Sequence, residues 1–131
     1  MEELKVKAKN YYIIARISEE MEMYSEATSN YFKALSAIDD FTLLKTTNSR
    51  PKDHAERFSL LKSKIPKLYY ITDRLFSTYR RTYTQELNKG EVPLVRKRVE
   101  EAFAYAKIEI PKSSKIKERF EKIIKKRKIL D

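Results

Sequence analysis

Residues 25–41, SEATSNYFKALSAIDDF, decide the fold of this chain. Their apolar side chains recur at steps of three and four residues, the spacing that places them on one face of an α-helix. The members of this stripe are Ala27, Tyr31, Ala34, Leu35, Ile38 and Phe41. Ala34 and Ala37 are small, which lets a neighbouring helix approach closely. Ser25 has the side chain of an N-cap, and we expect the helix to begin there.

The same helical spacing continues outward from this stretch in both directions. It predicts a helix over about residues 2–23 and, after the polar loop at 46–52, helices over 54–65, from 66 to about 87, and over 93–110. Asp53 and Glu56 have the spacing of a capping box, which places a helix start at His54. The segment 88–90 is typical of a helix C-terminus. A last amphipathic helix carries Ile116, Phe120, Ile123 and Ile124.

These segments predict an all-α fold in two parts. Residues 1–111 are expected to form an α-helical bundle, and residues 112–131 a basic amphipathic helix attached to it. The sequence shows no apolar core of a signal peptide and no run of about 20 apolar residues of the kind that crosses a bilayer. We therefore expect a cytoplasmic protein with no membrane partner.

The scarcity of three residue types limits the chemistry of the chain. Its 131 residues include no cysteine, one glycine and one histidine. Without cysteine there is no thiol or disulfide chemistry, and a single glycine excludes the glycine-rich phosphate loops of Rossmann and P-loop proteins. The lone histidine, His54, has no partners at a spacing suited to metal binding. We expect no metal and no cofactor.

Charge is concentrated at the C-terminal end. The chain carries a net charge of +10, of which residues 112–131 contribute +6 and the rest of the chain only +4. The candidate basic patch consists of Lys122, Lys125, Lys126, Arg127 and Lys128. A basic surface favours an anionic partner, although lysine-rich helices also serve simply as solvated surfaces. For this helix we expect docking on the bundle or a dimer mate first, nucleic-acid contact second and membrane contact third.

Tyrosines and arginines alternate on the fourth predicted helix, as in surfaces that stack bases and bind phosphates. Helical spacing places Tyr70, Arg74 and Arg81 on one face, and we take these residues and Arg80 as candidates for binding. An ordinary solvated or dimer-contact face is the alternative. Tyr79 and Tyr83 follow the apolar stripe and are expected in the core or at a dimer interface.

Two electrostatic expectations concern residues near helix ends. His54 lies at a helix N-terminus, where a cation is disfavoured, so its imidazole is expected to be neutral. It can be a structural residue or, with Arg50, contribute to binding. Asp39 and Asp40 lie near the C-terminal end of their helix, where the dipole disfavours negative charge. An ion pair with a basic neighbour would account for them.

One set of segments resembles a known family. It consists of EATSNYFKALSAIDD at 26–40, the loop with Pro51 and His54, Leu60-Leu61, IPKL at 65–68, RRTYT at 80–84 and VEEAFAYA at 99–106. In order and spacing these segments resemble the HEPN domain family of small prokaryotic helical proteins, over about residues 5–110. The resemblance implies an up-and-down bundle of four to five helices, a homodimer and a role beside a nucleotidyltransferase in toxin–antitoxin or defence systems.

The ribonuclease members of that family carry an Arg followed, after four to six residues, by a His. With His54 as the only histidine, the Arg would have to stand at 47–49, where the chain has Thr47, Asn48 and Ser49. We therefore expect a non-catalytic module that binds nucleic acid, a nucleotide or a cognate nucleotidyltransferase. The alternative is a divergent ribonuclease or nucleotide-processing enzyme that uses His54 or the Arg80–Arg81 region.

Overall fold

A computed structural model describes the backbone of residues 1–130 and the side chains of residues 1–126. Within this range every regular element is an α-helix, which confirms the predicted all-α class. The helices are α1 (Glu2–Glu20), α2 (Tyr24–Thr47), α3 (His54–Lys64), α4 (Pro66–Arg81), α5 (Val92–Ala106) and α6 (Ser113–Leu130). Over the residues that the structure describes, none of these helices combines the length and the apolar character that a bilayer crossing requires.

Helix α2 lies at the centre of the bundle. It packs against α1, α3, α4 and α5, whereas α6 packs against α1. The whole predicted stripe of α2 is buried, and Ala34 is fully covered, as expected for a small residue at a close helix contact. Because α2 has neighbours on several sides, its buried surface also takes in polar side chains, among them Asp39 and Asp40.

Two pairs of tyrosine and glutamate tie α1 to its neighbours inside this core. The buried Tyr12 of α1 donates a hydrogen bond to Glu100 of α5 at 2.5 Å. The buried Tyr31 of α2 donates to Glu19 at 2.6 Å, and Arg96 of α5 also donates to that carboxylate. Burial, followed by the hydrogen bond to Glu100, raises the pKa of Tyr12 to about 12. Both phenols therefore remain protonated donors at neutral pH.

The start of α2 differs from the prediction. The helix begins at Tyr24, and Ser25 lies inside its first turn and is not the N-cap. The buried hydroxyl of Ser25 instead donates to Glu86 and accepts a hydrogen bond from the backbone N–H of Leu87, both at 3.4 Å. Ser25 thus anchors the connection between α4 and α5.

The end of α4 also differs from the prediction. The helix ends at Arg81 and does not continue to Leu87. Leu87 is buried, so the chain turns back toward the core after α4. Asn88 does not close α4: its side-chain oxygen accepts hydrogen bonds from the N–H groups of Gly90 and Glu91, just before α5. Helix α5 in turn ends at Ala106, four residues before the predicted end, and Lys107 adopts a left-handed conformation with φ 58°.

The predicted start of α3 is confirmed. Asp53 has an extended backbone, and its carboxylate accepts a hydrogen bond from the N–H of Glu56 at 2.9 Å. This bond satisfies one of the N–H groups that lack a partner in the first turn of a helix. The cap holds His54 and Arg57 in that first turn.

Removing the cap should therefore destabilise the fold. Asp53→Ala is expected to lower the free energy of unfolding by about 1 kcal/mol, measured by urea denaturation. Asp53→Asn, which retains a side-chain acceptor, should lose only a few tenths of that amount. Equal losses in the two variants would show that the carboxylate charge, and not the capping hydrogen bond, stabilises the start of α3.

Candidate functional site

An open cleft of about 210 Å³ lies where α1, α2, the start of α3 and the end of α4 meet. We call it the His54 cleft. Its polar and aromatic lining comes from all four helices and the loop before α3: Lys7, Tyr11, Phe32, Lys33, Ser36, Asp40, Arg50, His54, Arg57 and Tyr79. It adjoins a shallower groove along α1 that also involves Lys7 and Arg50. The single histidine of the chain thus lies in a mainly basic concave surface.

The floor of the cleft is built on a buried ion pair. The guanidinium of Arg57 donates two hydrogen bonds to the carboxylate of Asp40, at 2.7 and 3.1 Å, and both side chains are about nine-tenths covered. This two-point geometry is the strong form of an arginine–carboxylate contact. The ion pair expected for these aspartates is therefore confirmed for Asp40, but α2 continues to Thr47, so Asp40 lies about two turns inside the helix and not near its end.

The same guanidinium orients His54. A further N–H of Arg57 lies 2.7 Å from Nδ1 of His54. Because arginine can only donate, Nδ1 must accept, and the ring proton is then on Nε2. Partial desolvation, followed by the charge of Arg57, lowers the pKa of His54 below its ordinary value. The predicted neutral imidazole is confirmed, with desolvation and a neighbouring cation as its causes.

Asp39 has a different environment from its neighbour Asp40. It is fully buried, and one of its oxygens accepts a 2.6 Å hydrogen bond from the hydroxyl of Thr72, while the other has no partner within the described residues. Burial raises the pKa of Asp39 well above its usual range. The two adjacent carboxyl groups thus have different environments, because only Asp40 has a cation in hydrogen-bonding contact.

An aromatic cluster forms one wall of the cleft. The ring of Tyr79 stacks on Phe32 with centroids 4.5 Å apart and a tilt of 10°. The imidazole of His54 lies 5.8 Å from Phe32 and 6.0 Å from the ring of Phe76. Arg80 continues this wall, since its guanidinium lies 5.8 Å from the Phe76 centroid. The cleft therefore combines cationic groups with a flat aromatic surface.

Hydrogen-bond donors outnumber free acceptors in the cleft. Lys7 and Lys33 are exposed, and no ion pair involves either of them among the described side chains. The hydroxyl of Ser36 is covered and also lacks a partner in that part of the chain. Both carboxylate oxygens of Asp40 are occupied by Arg57, and Arg50 is paired with Glu3 at 3.0 Å. Such a surface is suited to an anionic ligand.

The predicted binding residues are only partly brought together. Arg50 and His54 both line the cleft, and Arg80 borders its aromatic wall. Tyr70 and Arg74 instead pair with each other, the guanidinium 4.4 Å from the ring centroid, and Arg81 forms a 2.7 Å ion pair with Glu91. At about 100° per residue, these three residues face away from Phe76 and Tyr79 on α4.

Other predicted positions lie outside the cleft. Tyr83 is 74% exposed beyond the end of α4 and therefore lies outside the core of one copy, while Tyr79 is half-buried. A dimer interface for either tyrosine stays a prediction. Lys122, Lys125 and Lys126 are exposed on α6. The side chains of Arg127 and Lys128 lie outside those that the structure describes. The basic patch and the His54 cleft are thus formed by different elements.

Three cations of the cleft were missed by sequence reasoning. The sequence does contain a local indication that Arg57 belongs to the site, since Arg57 follows His54 by three residues and lies on the same side of α3. The expectation that Asp40 needs a basic partner was a second signal for it. Lys7 and Lys33 had none, because they come from different helices and only the packing of α1 on α2 brings them together.

The two adjacent aspartates should respond differently to substitution. Asp40→Asn leaves the buried Arg57 without a counter-charge and should lower the free energy of unfolding by about 3–5 kcal/mol. Asp39→Asn should mainly change how the free energy of unfolding depends on pH. Because the folded chain keeps a proton on Asp39 that the unfolded chain releases, the wild type should lose stability as pH rises above about 4, up to the raised pKa.

Denaturation at several pH values measures both effects. The Asp39→Asn variant should lack the part of the stability loss that begins near pH 4, and Asp40→Asn should retain it. An identical pH profile in wild type and Asp39→Asn would show that Asp39 is ionised in the folded chain.

Comparison of the chain with protein-family models, with curated proteins and with solved structures finds no match. Within the described residues, no group of three histidine, aspartate or glutamate side chains is arranged to hold a metal ion. The arrangement that the His54 cleft does contain is a set of fixed donors beside stacked aromatic rings.

Proposed function

We propose that the chain is a non-catalytic, HEPN-like helical module that binds RNA through the His54 cleft. The observation that carries this proposal is the excess of donors in the cleft, where the one carboxylate of the lining is already fully bound by Arg57. An anion of the size of a phosphate group would find charge from Lys7 and Lys33 and a neutral donor from His54.

The aromatic wall supports a nucleotide rather than a simple inorganic anion. Tyr79 and Tyr11 line the same cleft as the two lysines, and the Nζ of Lys33 lies 5.9 Å from the Tyr11 ring. Single-stranded RNA is recognised by stacking bases on aromatic rings while cations neutralise the phosphates. The His54 cleft offers both kinds of contact within one nucleotide's reach.

The non-catalytic reading rests on what surrounds His54. Cleavage through the 2′-hydroxyl needs one group to accept a proton and another to donate one to the leaving oxygen. The Nδ1 of His54 accepts from Arg57, and the carboxylate of Asp40 is occupied by the same guanidinium. Among the described residues of the lining there is no second imidazole and no unpaired carboxylate for the other proton transfer, and the Arg–His spacing of the nuclease members is missing.

The remaining parts of the proposal derive from the resemblance and from charge. They are an up-and-down bundle of four to five helices over residues 1–111, a basic amphipathic helix beyond it, and a homodimer. A cognate nucleotidyltransferase is the proposed protein partner, in a toxin–antitoxin or defence system. The net charge of +10 supports an anionic partner in either case.

The binding proposal predicts a specific salt dependence. Binding of a fluorescent mixed-sequence single-stranded RNA should weaken as salt rises, because phosphate contacts release counterions. The double variant Lys7→Gln/Lys33→Gln should bind at least tenfold more weakly at low salt and reduce the slope of log affinity against log salt by about 1.4. Fluorescence anisotropy at four salt concentrations measures both quantities.

A matched control separates the cleft from net charge. Lys97→Gln/Lys107→Gln removes the same charge from two exposed lysines of α5 and its C-cap, which do not line the cleft. It should bind RNA nearly as the wild type does. Equally weakened RNA binding in the two double variants would mean that binding depends only on the overall charge of the protein. The absence of RNA binding by the wild type at low salt would overturn the proposal.

A divergent ribonuclease is the second candidate, and one observation favours it. His54 is neutral and lines a basic cleft, which is the state a general base requires. The non-catalytic proposal predicts no cleavage of end-labelled RNA by either the wild type or His54→Ala, with binding retained in the wild type. Cleavage by the wild type that is lost in His54→Ala would establish the enzyme instead.

A further inference from the structure

Helix α6 is only partly docked on the bundle. Its first turns and the second half of α1 enclose an apolar groove of about 340 Å³, lined by Arg16, Ile17, Glu20, Ser113, Ile116, Lys117 and Phe120. Ile116 is buried there and Phe120 is half-buried. The next apolar residues of the same stripe are uncovered, with Ile123 56% and Ile124 38% exposed. The apolar face of α6 thus continues beyond its contact with α1.

The exposed apolar edge of α6, formed by Ile123 and Ile124, has lysines around it. Lys122, Lys125 and Lys126 are all exposed, and among the described side chains only Lys122 of these three forms an ion pair, with Glu118 at 3.4 Å. Two copies of α6 side by side would bring these lysines together, and like charges repel at close range. The surface that covers Ile123 and Ile124 should therefore be both apolar and acidic.

The chain itself has such a surface at the turn between α1 and α2. Met21 is 54% and Met23 is 42% exposed there. Glu20, Glu22 and Glu26 surround them and are exposed. Glu22 has a left-handed backbone with φ 61°, and this conformation forms the turn in which the two methionines stand out from the bundle. We call this surface the methionine turn.

We propose that the uncovered end of α6 docks on the methionine turn of a second copy of this chain. Ile123 and Ile124 would pack on Met21 and Met23, and the three lysines would face the three glutamates. The evidence is complementarity in two properties at once, apolar area and charge. Both surfaces remain exposed within one copy, so their pairing is available between copies. This inference specifies the homodimer of the proposed function and uses none of its RNA-binding residues.

The positions of the two surfaces favour a closed dimer. Residues around Lys115 adjoin Lys9, and Phe120 adjoins Ile17 and Glu20, so α6 advances along α1 toward the methionine turn. The donor surface and the receiving surface therefore lie at the same end of each copy. A two-fold axis then lets each copy give its α6 and receive its partner's, which doubles the contact and leaves no open surface for further growth.

A membrane surface is less suited to this edge. An interfacial helix needs a broad apolar face, and here Ile116 and Phe120 are already engaged with α1. An acidic partner protein would match the charge of α6 but would not account for the exposed methionines. Membrane binding remains a distinguishable outcome of the experiment below.

The experiment measures mass in solution by sedimentation over a concentration series. The wild type should show a reversible dimer. Variant A, Glu22→Lys/Glu26→Lys, and variant B, Lys125→Glu/Lys126→Glu, should each dimerise at least tenfold more weakly, because like charges then face each other at both contacts. Ile123→Ser/Ile124→Ser should weaken the dimer similarly without a change in charge. Leu94→Ser, at a 65% exposed residue of α5, should leave it unchanged.

Mixing the variants gives the decisive result. In a dimer of A with B, the lysines of A's turn face the glutamates of B's α6, and the other contact has its natural charges. An equimolar mixture should therefore form heterodimers at concentrations where A and B alone are monomers. Helical circular dichroism and thermal melting of each variant establish that it is folded.

Three results would overturn the inference. They are a wild type that is monomeric at every concentration, a dimer that the isoleucine variant does not weaken, and a mixture of A and B that stays monomeric. A monomeric wild type that binds vesicles containing phosphatidylglycerol, with binding lost in the isoleucine variant, would assign the edge to membranes. RNA binding that persists in a monomeric wild type would leave the proposed RNA function intact, so the two failures are distinguishable.

Discussion

The contact on which the His54 cleft depends is the buried ion pair between Asp40 and Arg57. Removing two charges from water is costly, and the cost is offset only when the pair is complete and well hydrogen-bonded. Here the guanidinium fills both carboxylate oxygens and gives another N–H to His54. One arginine therefore fixes α3 against α2, sets the tautomer of the histidine and removes the only carboxylate of the cleft lining from competition with a ligand.

In other buried polar contacts, carboxylates are also matched by hydrogen-bond donors, but these donors are neutral hydroxyl groups. Tyr12 and Tyr31 bring hydroxyl donors to Glu100 and Glu19, and burial keeps both phenols protonated. Asp39 is the contrasting case, since it has a hydroxyl neighbour but no cation in contact and takes up a proton instead. Each buried carboxyl thus takes the charge state that its donors allow. These directional contacts specify the register of α1, α2 and α5 more narrowly than apolar packing does.

The sequence was sufficient where the determining interactions are local. The helical class, the buried stripe of α2 and the Asp53 cap depend on residues within one or two turns, and all three were predicted. Ser25 and Leu87 were not, because their roles arise from a contact between residues 61 to 62 positions apart. The cleft divides in the same way. His54 and Arg50 were noticed as neighbours in sequence, whereas Lys7 and Lys33 join them only through the packing of two helices.

The two basic regions of the chain differ in a way that net charge conceals. In the His54 cleft the cations converge on one concavity from three helices and a loop, which the packing of the core holds together, and this arrangement suits a compact anion such as a phosphate. On α6 the lysines diverge around a single helix, beside exposed isoleucines. Divergent charge around an apolar edge matches an extended surface better than a small group. The cations that converge in the cleft therefore indicate a small ligand. The lysines that diverge around α6 indicate another protein surface.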